Sequence, residues 1–280
     1  MDAPSTDFST LLSPETAENL PPGAEELAER ARRRAEDLLG PIPPEGLGAN
    51  RKGEVGPCRV CGQTGPLTFE HMPPRSAGNH TRRRMVDMTT DLAHPIGVFP
   101  PRGWIQVQKG MGAYATCGDC NSFSGSDYVP AYTDFVASLV NALHEWAQAT
   151  PDDHPPKTLS FTMSRGKPGD IVRQALFMIL TSSGSPGLGE RYPVLRDIVL
   201  RKAPASLPAE MTLRLSLVIT PRARMIPLTG EANLDRNAER ALVEVACSPL
   251  GWLLEVGDPS DRTSANVSSW TQIPTGSSST

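Results

Sequence analysis

The sequence predicts an α+β protein built from two units, and three observations lead to this prediction. Four of the five cysteines form two close pairs in the first half of the chain, Cys58-Arg-Val-Cys61 and Cys117-Gly-Asp-Cys120. The segment around them, 51–128, has little regular periodicity and many turn residues. After Thr150-Pro151 the pattern changes to alternating apolar strands and apolar helices, which is typical of an α+β unit.

The two cysteine pairs have the spacing of a metal site. A C-x2-C segment places two thiolates on one tight turn, and two such turns supply the four sulfur ligands of tetrahedral zinc. The 55 residues between the pairs mean that the pairs must meet in space across an inserted segment. We therefore predict one structural Zn²⁺ bound by Cys58, Cys61, Cys117 and Cys120. The alternative is that these four cysteines are reduced core residues.

The first half of the chain divides into an arm and a zinc-binding domain. The arm, 1–50, contains one amphipathic helix at about 24–39. The zinc-binding domain, 51–150, is organised by metal rather than by a large apolar core. Its strong helix is predicted to begin at Pro130 and to end near Ala149, because the preceding segment, 122–127, has low helix propensity.

The second half of the chain contains an α+β accessory domain, 151–258, with no catalytic constellation. It is predicted to contain helices at 171–180 and 192–201 and strands at 159–163, 213–219, 241–247 and 252–256. The tail, 259–280, is rich in serine and threonine and is predicted to be disordered.

Composition indicates a cytoplasmic protein without a membrane segment. No run of 18 apolar residues occurs, and the N-terminus lacks the basic and apolar regions of a secretory signal. Cysteines in such a protein are metal ligands or reduced thiols rather than disulfides. The fifth, Cys247, lies in an alternating apolar run and is predicted to be a buried strand residue.

Charge is unevenly distributed, although the net charge is only -4. Residues 51–110 carry nine Lys/Arg and four Asp/Glu, a local net charge of +5, and include the run Arg82-Arg83-Arg84. Basic side chains bind nucleic-acid phosphates and release condensed counterions. This block is therefore a candidate nucleic-acid surface, and a solvated charged loop is the alternative for the arginine run.

A short β-prone run, 67–71, ends in Glu70 and His71 inside the same basic block. Adjacent strand residues point to opposite faces, so these two side chains would not chelate one ion as a pair. A carboxylate oxygen is a hard ligand suited to Mg²⁺, and a neutral histidine can accept a proton from water near pH 7. Asn121 offers another hard ligand, its amide oxygen, directly after the second cysteine pair.

These motifs resemble the HNH endonucleases that are supported by a four-cysteine zinc site. The matching residues lie within 58–121, and they are Cys58-x2-Cys61, Leu67-Thr68-x-Glu70-His71-x-Pro73-Pro74 and Cys117-x2-Cys120-Asn121. The family often has Asp where this chain has Glu70. The family also has an asparagine in the middle of its motif, and Asn79 is the candidate for that position in this chain.

The resemblance implies a treble-clef-like ββα-metal core in which the zinc is structural. It further implies that His71 activates water, while Glu70 and Asn121 hold a catalytic Mg²⁺ or other divalent cation against the scissile phosphate of DNA. RNA is not excluded as the substrate. The basic residues Arg75, Arg82, Arg83 and Arg84 would then bind phosphates.

Two other interpretations remain open from the sequence. In one, the chain is a catalytically inactive, zinc-stapled nucleic-acid-binding or interaction module. In the other, His71 replaces one cysteine as a zinc ligand. The endonuclease hypothesis expects Glu70, His71 and Asn121 to converge in one basic-rimmed cleft beside the cysteine cluster, whereas the binding-module hypothesis expects them to diverge.

Overall fold

The protein combines helices and sheets, so the predicted α+β class is confirmed. The computed structural model describes 53–80, 110–149, 160–164, 167–201, 206–218, 223–233, 238–257 and 264–272, the backbone of 83–85 and 105–107, and scattered positions between 23 and 37. Within these ranges, no helix has both the length and the apolar character needed to cross a membrane.

A small antiparallel sheet is the scaffold of the cysteine pairs. The first five strands among the described residues are β1 (Val55–Pro57), β2 (Thr64–His71), β3 (Arg83–Met85), β4 (Ile105–Val107) and β5 (Gly112–Cys117). The sheet has the strand order β1-β2-β5, and β3 pairs separately with β4. Leu67 lies opposite Cys117 and His71 lies opposite Gly112. This register brings the end of β5 to the turn between β1 and β2.

Two helices follow β5, α1 (Gly118–Asp127) and α2 (Val129–Ala149). The prediction for α2 is confirmed. The expectation that the helix begins only after the weak helix former 122–127 is wrong, because this segment belongs to α1. Tertiary contacts overcome the low propensity of α1, since the Ser124 hydroxyl donates to Gln174 Oε1 at 2.7 Å. A weak helix former becomes helical when packing supplies what the isolated sequence lacks.

The second half of the chain contains three helices and a five-stranded sheet, and the first of these helices packs against the sheet. Its elements are α3 (Pro168–Ser182), α4 (Gly187–Arg191), α5 (Pro193–Arg201), β6 (Met211–Leu217), β7 (Arg224–Asn233), β8 (Ala238–Cys247), β9 (Leu250–Gly257) and β10 (Ala265–Asn266). The strand order is β10-β6-β9-β8-β7. The predicted helices and the last three predicted strands correspond to α3, α5, β6, β8 and β9. The strand predicted at 159–163 is wrong, since the described residues 160–163 form no strand. The sequence did not indicate β7, whose pairing shifts register between Ile226 and Thr229 around Pro227.

One core joins the two halves of the described chain. Every residue of α3 from Gly169 to Ser182 is buried, and the helix packs against α2, β5 and β8. Trp252 Nε1 donates to the Tyr132 hydroxyl at 3.1 Å, within that core. The predicted domain boundary near residue 150 stays a prediction, and these contacts are the interface that would lie between the two domains.

The expected disorder of the tail does not extend to 264–272. Ala265 and Asn266 pair with β6, and Val267 and Thr271 are buried. The Ser268 hydroxyl accepts the backbone N–H of Leu213 at 2.9 Å. Serine hydroxyls here satisfy backbone groups, a role that composition does not reveal. Residues 258–263 and 273–280 lie outside the described residues.

The N-terminal arm lies mostly outside the described residues. Those of its positions that are described at 26, 27, 29, 30, 33 and 37 are helical, within the predicted helix at about 24–39. Leu27 is buried.

Candidate metal centre and adjoining cleft

The four predicted ligand cysteines lie together. Their Sγ atoms are all within 4.8 Å of one another. Cys58 and Cys61 lie on the turn between β1 and β2, Cys117 ends β5, and Cys120 lies in the first turn of α1. Two elements separated by 55 residues therefore form one cluster that can hold a metal ion such as zinc, as predicted.

Backbone hydrogen bonds shape the first cysteine turn. Gly62 N–H donates to Cys58 O at 2.7 Å, and Cys58 N–H donates to Gln63 O at 2.9 Å. Gly62 has a φ of 80°, which a residue without Cβ adopts without strain. The N–H of Cys61 points to Cys58 Sγ at 3.5 Å, which stabilises a thiolate there.

One sulfur–sulfur distance in the cluster matches the edge of a tetrahedral zinc site. Cys61 Sγ and Cys117 Sγ are 3.8 Å apart. A regular tetrahedron with Zn–S bonds of about 2.3 Å has S···S edges of about 3.8 Å. A disulfide would require an S–S distance of about 2.05 Å. His71 is not part of this group of ligands.

The electrostatics of the cluster also favour a bound cation. A hydrogen bond from the Cys120 thiol lowers the pKa of Cys58 to about 4. Burial raises the pKa of Cys61 to about 11, and the hydrogen bond to Cys58 together with burial raises the pKa of Cys120 above its usual range. Without a positive charge, the cluster favours the thiolate form of Cys58 and the protonated thiol form of Cys61 and Cys120. A divalent cation at the centre removes this conflict, because metal-bound thiols are deprotonated.

Glu70, His71 and Asn121 line one cleft, so the structure brings together the three residues that the sequence proposed as a site. The cleft has a volume of about 590 Å³ and is lined by Glu70, His71, Pro74, Arg75, Ser76, His80, Asn121, Gly125 and Val129. Glu70 and His71 end β2, while Asn121 lies in α1 directly after Cys120 of the cysteine cluster. The start of α1, which carries Cys120, thus sets the position of one wall of the cleft.

The amide of Asn121 is held in one orientation. Its Nδ2 donates to Thr68 Oγ1 at 3.0 Å and to Phe69 O at 3.1 Å, both on β2. Among the described residues no hydrogen bond reaches its Oδ1. The amide oxygen is therefore a positioned hard acceptor at the cleft.

Glu70 supplies the carboxyl group among the residues that line the cleft, and its pKa is strongly shifted. It is 5% exposed, and burial raises its pKa to about 8. The carboxyl group is therefore largely protonated at neutral pH unless a cation is nearby. A cation bound to this oxygen would favour the ionised form, so metal binding and proton release would be coupled.

The pKa of Glu70 predicts a pH-dependent stability difference between wild type and Glu70→Gln. In unfolded chains this carboxyl group ionises near its ordinary pKa of 4.5, whereas the folded protein without added Mg²⁺ keeps it protonated to about pH 8. The unfolded state thus binds fewer protons across this window, and wild-type stability falls as pH rises, by about 1.4 kcal/mol per unit of pKa difference.

Gln cannot ionise, so the free energy of unfolding of Glu70→Gln should rise relative to wild type from pH 4.5 and level off above pH 8. Urea unfolding between about pH 6 and 9 measures this, a range in which thiolate–metal bonds persist. A difference that does not change with pH would contradict the assigned pKa.

His71 is half-buried at the end of β2, and its ring makes an edge contact with Phe69, with centroids 4.9 Å apart. Among the described residues, no group of three or more metal ligands contains Glu70 or His71. The expectation that these two side chains do not chelate one ion as a pair stays a prediction.

Of the predicted phosphate-binding arginines, only Arg75 is described with its side chain. It is exposed and lines the cleft. Arg83 and Arg84 belong to β3, of which the backbone alone is described, and Arg82 lies outside the described residues.

Sequence reasoning missed His80, which also lines the cleft. The signal was a second histidine nine residues after His71, in the same basic block. Asn79, the candidate for the family's middle asparagine, is fully buried. Its Nδ2 donates to Pro73 O at 2.7 Å and Met111 O at 2.6 Å, and its Oδ1 accepts Met111 N–H at 2.8 Å. Asn79 thus fixes the segment after β2 to the start of β5.

Comparison with known proteins gives no match for this chain among family models, curated proteins or solved structures. The chemistry of the cleft is therefore inferred from its own residues.

Proposed function

We propose that this protein is a metal-dependent, HNH-type endonuclease that hydrolyses phosphodiester bonds of DNA. The observation that carries the proposal is that Glu70, His71 and Asn121 line one cleft, although the first two lie on β2 and the third on α1. The pairing of β2 with β5, followed by α1, and the four-cysteine cluster support the proposal of a treble-clef-like ββα-metal core.

The proposed zinc is structural. All four of its ligands are thiolates, which leaves no open position for water or substrate at a tetrahedral ion. Its role is to hold the turn between β1 and β2 against the start of α1. That arrangement places Asn121 beside Glu70 and His71.

In the proposed reaction, His71 accepts a proton from a water molecule, and the resulting hydroxide attacks the phosphorus atom. Glu70 Oε and Asn121 Oδ1 would hold Mg²⁺. Two protein ligands are enough for this ion, which usually keeps several waters and also binds substrate phosphate. When bound, the cation supplies positive charge to the phosphate and to the leaving oxygen.

Substrate binding is assigned to the basic block. Arg75 lies at the cleft, and the local net charge of +5 over 51–110 favours a polyanion despite the overall charge of -4. Phosphate contacts of this kind are independent of base sequence and weaken with salt. DNA is the proposed substrate, with RNA as the comparison in the assay.

Cleavage of supercoiled plasmid by purified protein is the direct test. We expect nicked or linear product with Mg²⁺ or Mn²⁺ and none when divalent ions are omitted. Omission is preferable to a strong chelator, which would also remove the structural metal. DNA binding without cleavage under Mg²⁺, Mn²⁺ and Ni²⁺ would replace this proposal by the catalytically inactive zinc-stapled binding module.

A further inference from the structure

His80 is a second imidazole in the cleft, and the proposed reaction does not yet use it. It is exposed and lines the same cleft as His71 and Arg75. It directly follows Asn79, whose side chain is buried and makes three hydrogen bonds of 2.6–2.8 Å. A Cβ at Gly110 would lie only 2.3 Å from Asn79 O, so the chain packs closely around this anchor. The backbone that delivers His80 to the cleft is therefore held in place.

His80 is not placed to bind the same ion as Glu70 and His71. Among the described residues, the four cysteines are the only group of three or more His, Cys, Asp or Glu side chains whose ligand atoms come close enough to share a metal ion. The three side chains therefore line one cleft without converging on one point. An imidazole at a separate position is suited to a different atom of the substrate.

Hydrolysis of a phosphodiester releases a sugar alkoxide, which is a poor leaving group unless it is protonated. We propose that His80 is the general acid that protonates this oxygen, an inference that depends on the proposed endonuclease function. His71 removes a proton from water, and the hydroxide oxygen forms a bond to phosphorus. The bond between phosphorus and the sugar oxygen breaks, and that oxygen takes a proton from the His80 imidazolium. One water is consumed, and both histidines return to their starting states by exchange with solvent.

A phosphate-binding role is the competing assignment for His80. Arg75 shares the cleft and is suited to phosphate contact. The two roles differ in one measurable way. A phosphate contact is needed for every phosphodiester, whereas a general acid is needed only when the leaving group must be protonated.

The experiment compares wild type, His80→Ala and the control His144→Ala on plasmid DNA and on bis(p-nitrophenyl) phosphate. Nitrophenolate leaves without protonation. We expect His80→Ala to lose roughly 10²–10⁴-fold in DNA cleavage and to hydrolyse the nitrophenyl diester at close to the wild-type rate. His144 is exposed on α2, bonds to Gln148 and does not line the cleft, so its variant should match wild type on both substrates.

DNA cleavage by His80→Ala at the wild-type rate would overturn this inference and leave the endonuclease function standing. Equal losses on both substrates would assign His80 to phosphate binding instead. If wild type does not hydrolyse the nitrophenyl diester, chemical rescue with imidazole is the deciding experiment. Added imidazole should restore DNA cleavage by His80→Ala. Failure to restore cleavage would reject the general-acid role of His80. A wild type that cleaves no DNA would remove the proposed function and this inference with it.

Discussion

Replacing Cys117 with serine is expected to abolish metal binding and to disorganise residues 51–128. Cys117 is the last residue of β5, lies opposite Leu67 of β2 and directly precedes α1. In a zinc-bound cluster its thiolate would therefore connect both strands and the helix to the same ion. Structural zinc contributes on the order of 10 kcal/mol to the folding of such sites, which is comparable to the whole stability of a domain. Elemental analysis gives the metal content, and amide hydrogen exchange shows which segments lose protection.

Cys247→Ser is the matched control for this change. Cys247 is also buried, but it lies in β8 and outside the four-cysteine group. The control should keep one zinc per chain and keep the protection of β2, β5 and α1. Wild-type protein purified under reducing conditions without zinc would contradict the metal assignment, as would Cys117→Ser that retains the wild-type metal content.

The effect of metal loss should extend beyond the cysteine turns. Arg59, between the two cysteines of the first turn, is buried and donates to Thr181 O in α3 at 2.6 Å. A Cβ at Gly62 would lie 3.1 Å from the guanidinium of Arg196 in α5. The first cysteine turn thus rests directly on the helices of the second half. Such contacts join residues that are more than 100 positions apart, so no local pattern predicts them.

The parts of the site that the sequence predicted are those fixed by spacing and residue chemistry. The two C-x2-C pairs predicted that the four cysteines lie close together in space, because four thiolates at that spacing commonly bind one tetrahedral zinc ion. Glu70, His71 and Asn121 were identified by ligand hardness and proton affinity, and the cleft brings them together.

The parts that the sequence did not predict depend on tertiary contacts. His80 lines the cleft because buried Asn79 holds the preceding backbone to β5, which requires the register of two distant strands. The pKa of Glu70, raised to about 8, is a consequence of burial and not of neighbours in sequence. Helix α1 forms because Asn121 and Ser124 bond to β2 and α3. The hydrogen bonds in the first and third cases join residues at least 30 positions apart.

His71→Ala is expected to lower the rate of DNA cleavage roughly 10²–10⁴-fold, the usual cost of removing a general base. The variant should keep its zinc, since His71 is not part of the four-cysteine group. DNA affinity should also remain, because the phosphate contacts are assigned to Arg75 and the surrounding basic block. Plasmid cleavage under excess Mg²⁺, measured together with the dissociation constant for DNA, separates loss of chemistry from loss of binding.

The control for this loss is His144→Ala, which removes an exposed histidine of α2 that bonds to Gln148 and lies outside the cleft. It should cleave at the wild-type rate. His71→Ala and His80→Ala should both keep DNA binding, but only His80→Ala should keep the hydrolysis of bis(p-nitrophenyl) phosphate, since attack by water needs the base whatever the leaving group. Wild-type cleavage of DNA by His71→Ala would remove His71 from the mechanism and, with it, the main reason for assigning hydrolysis to this cleft.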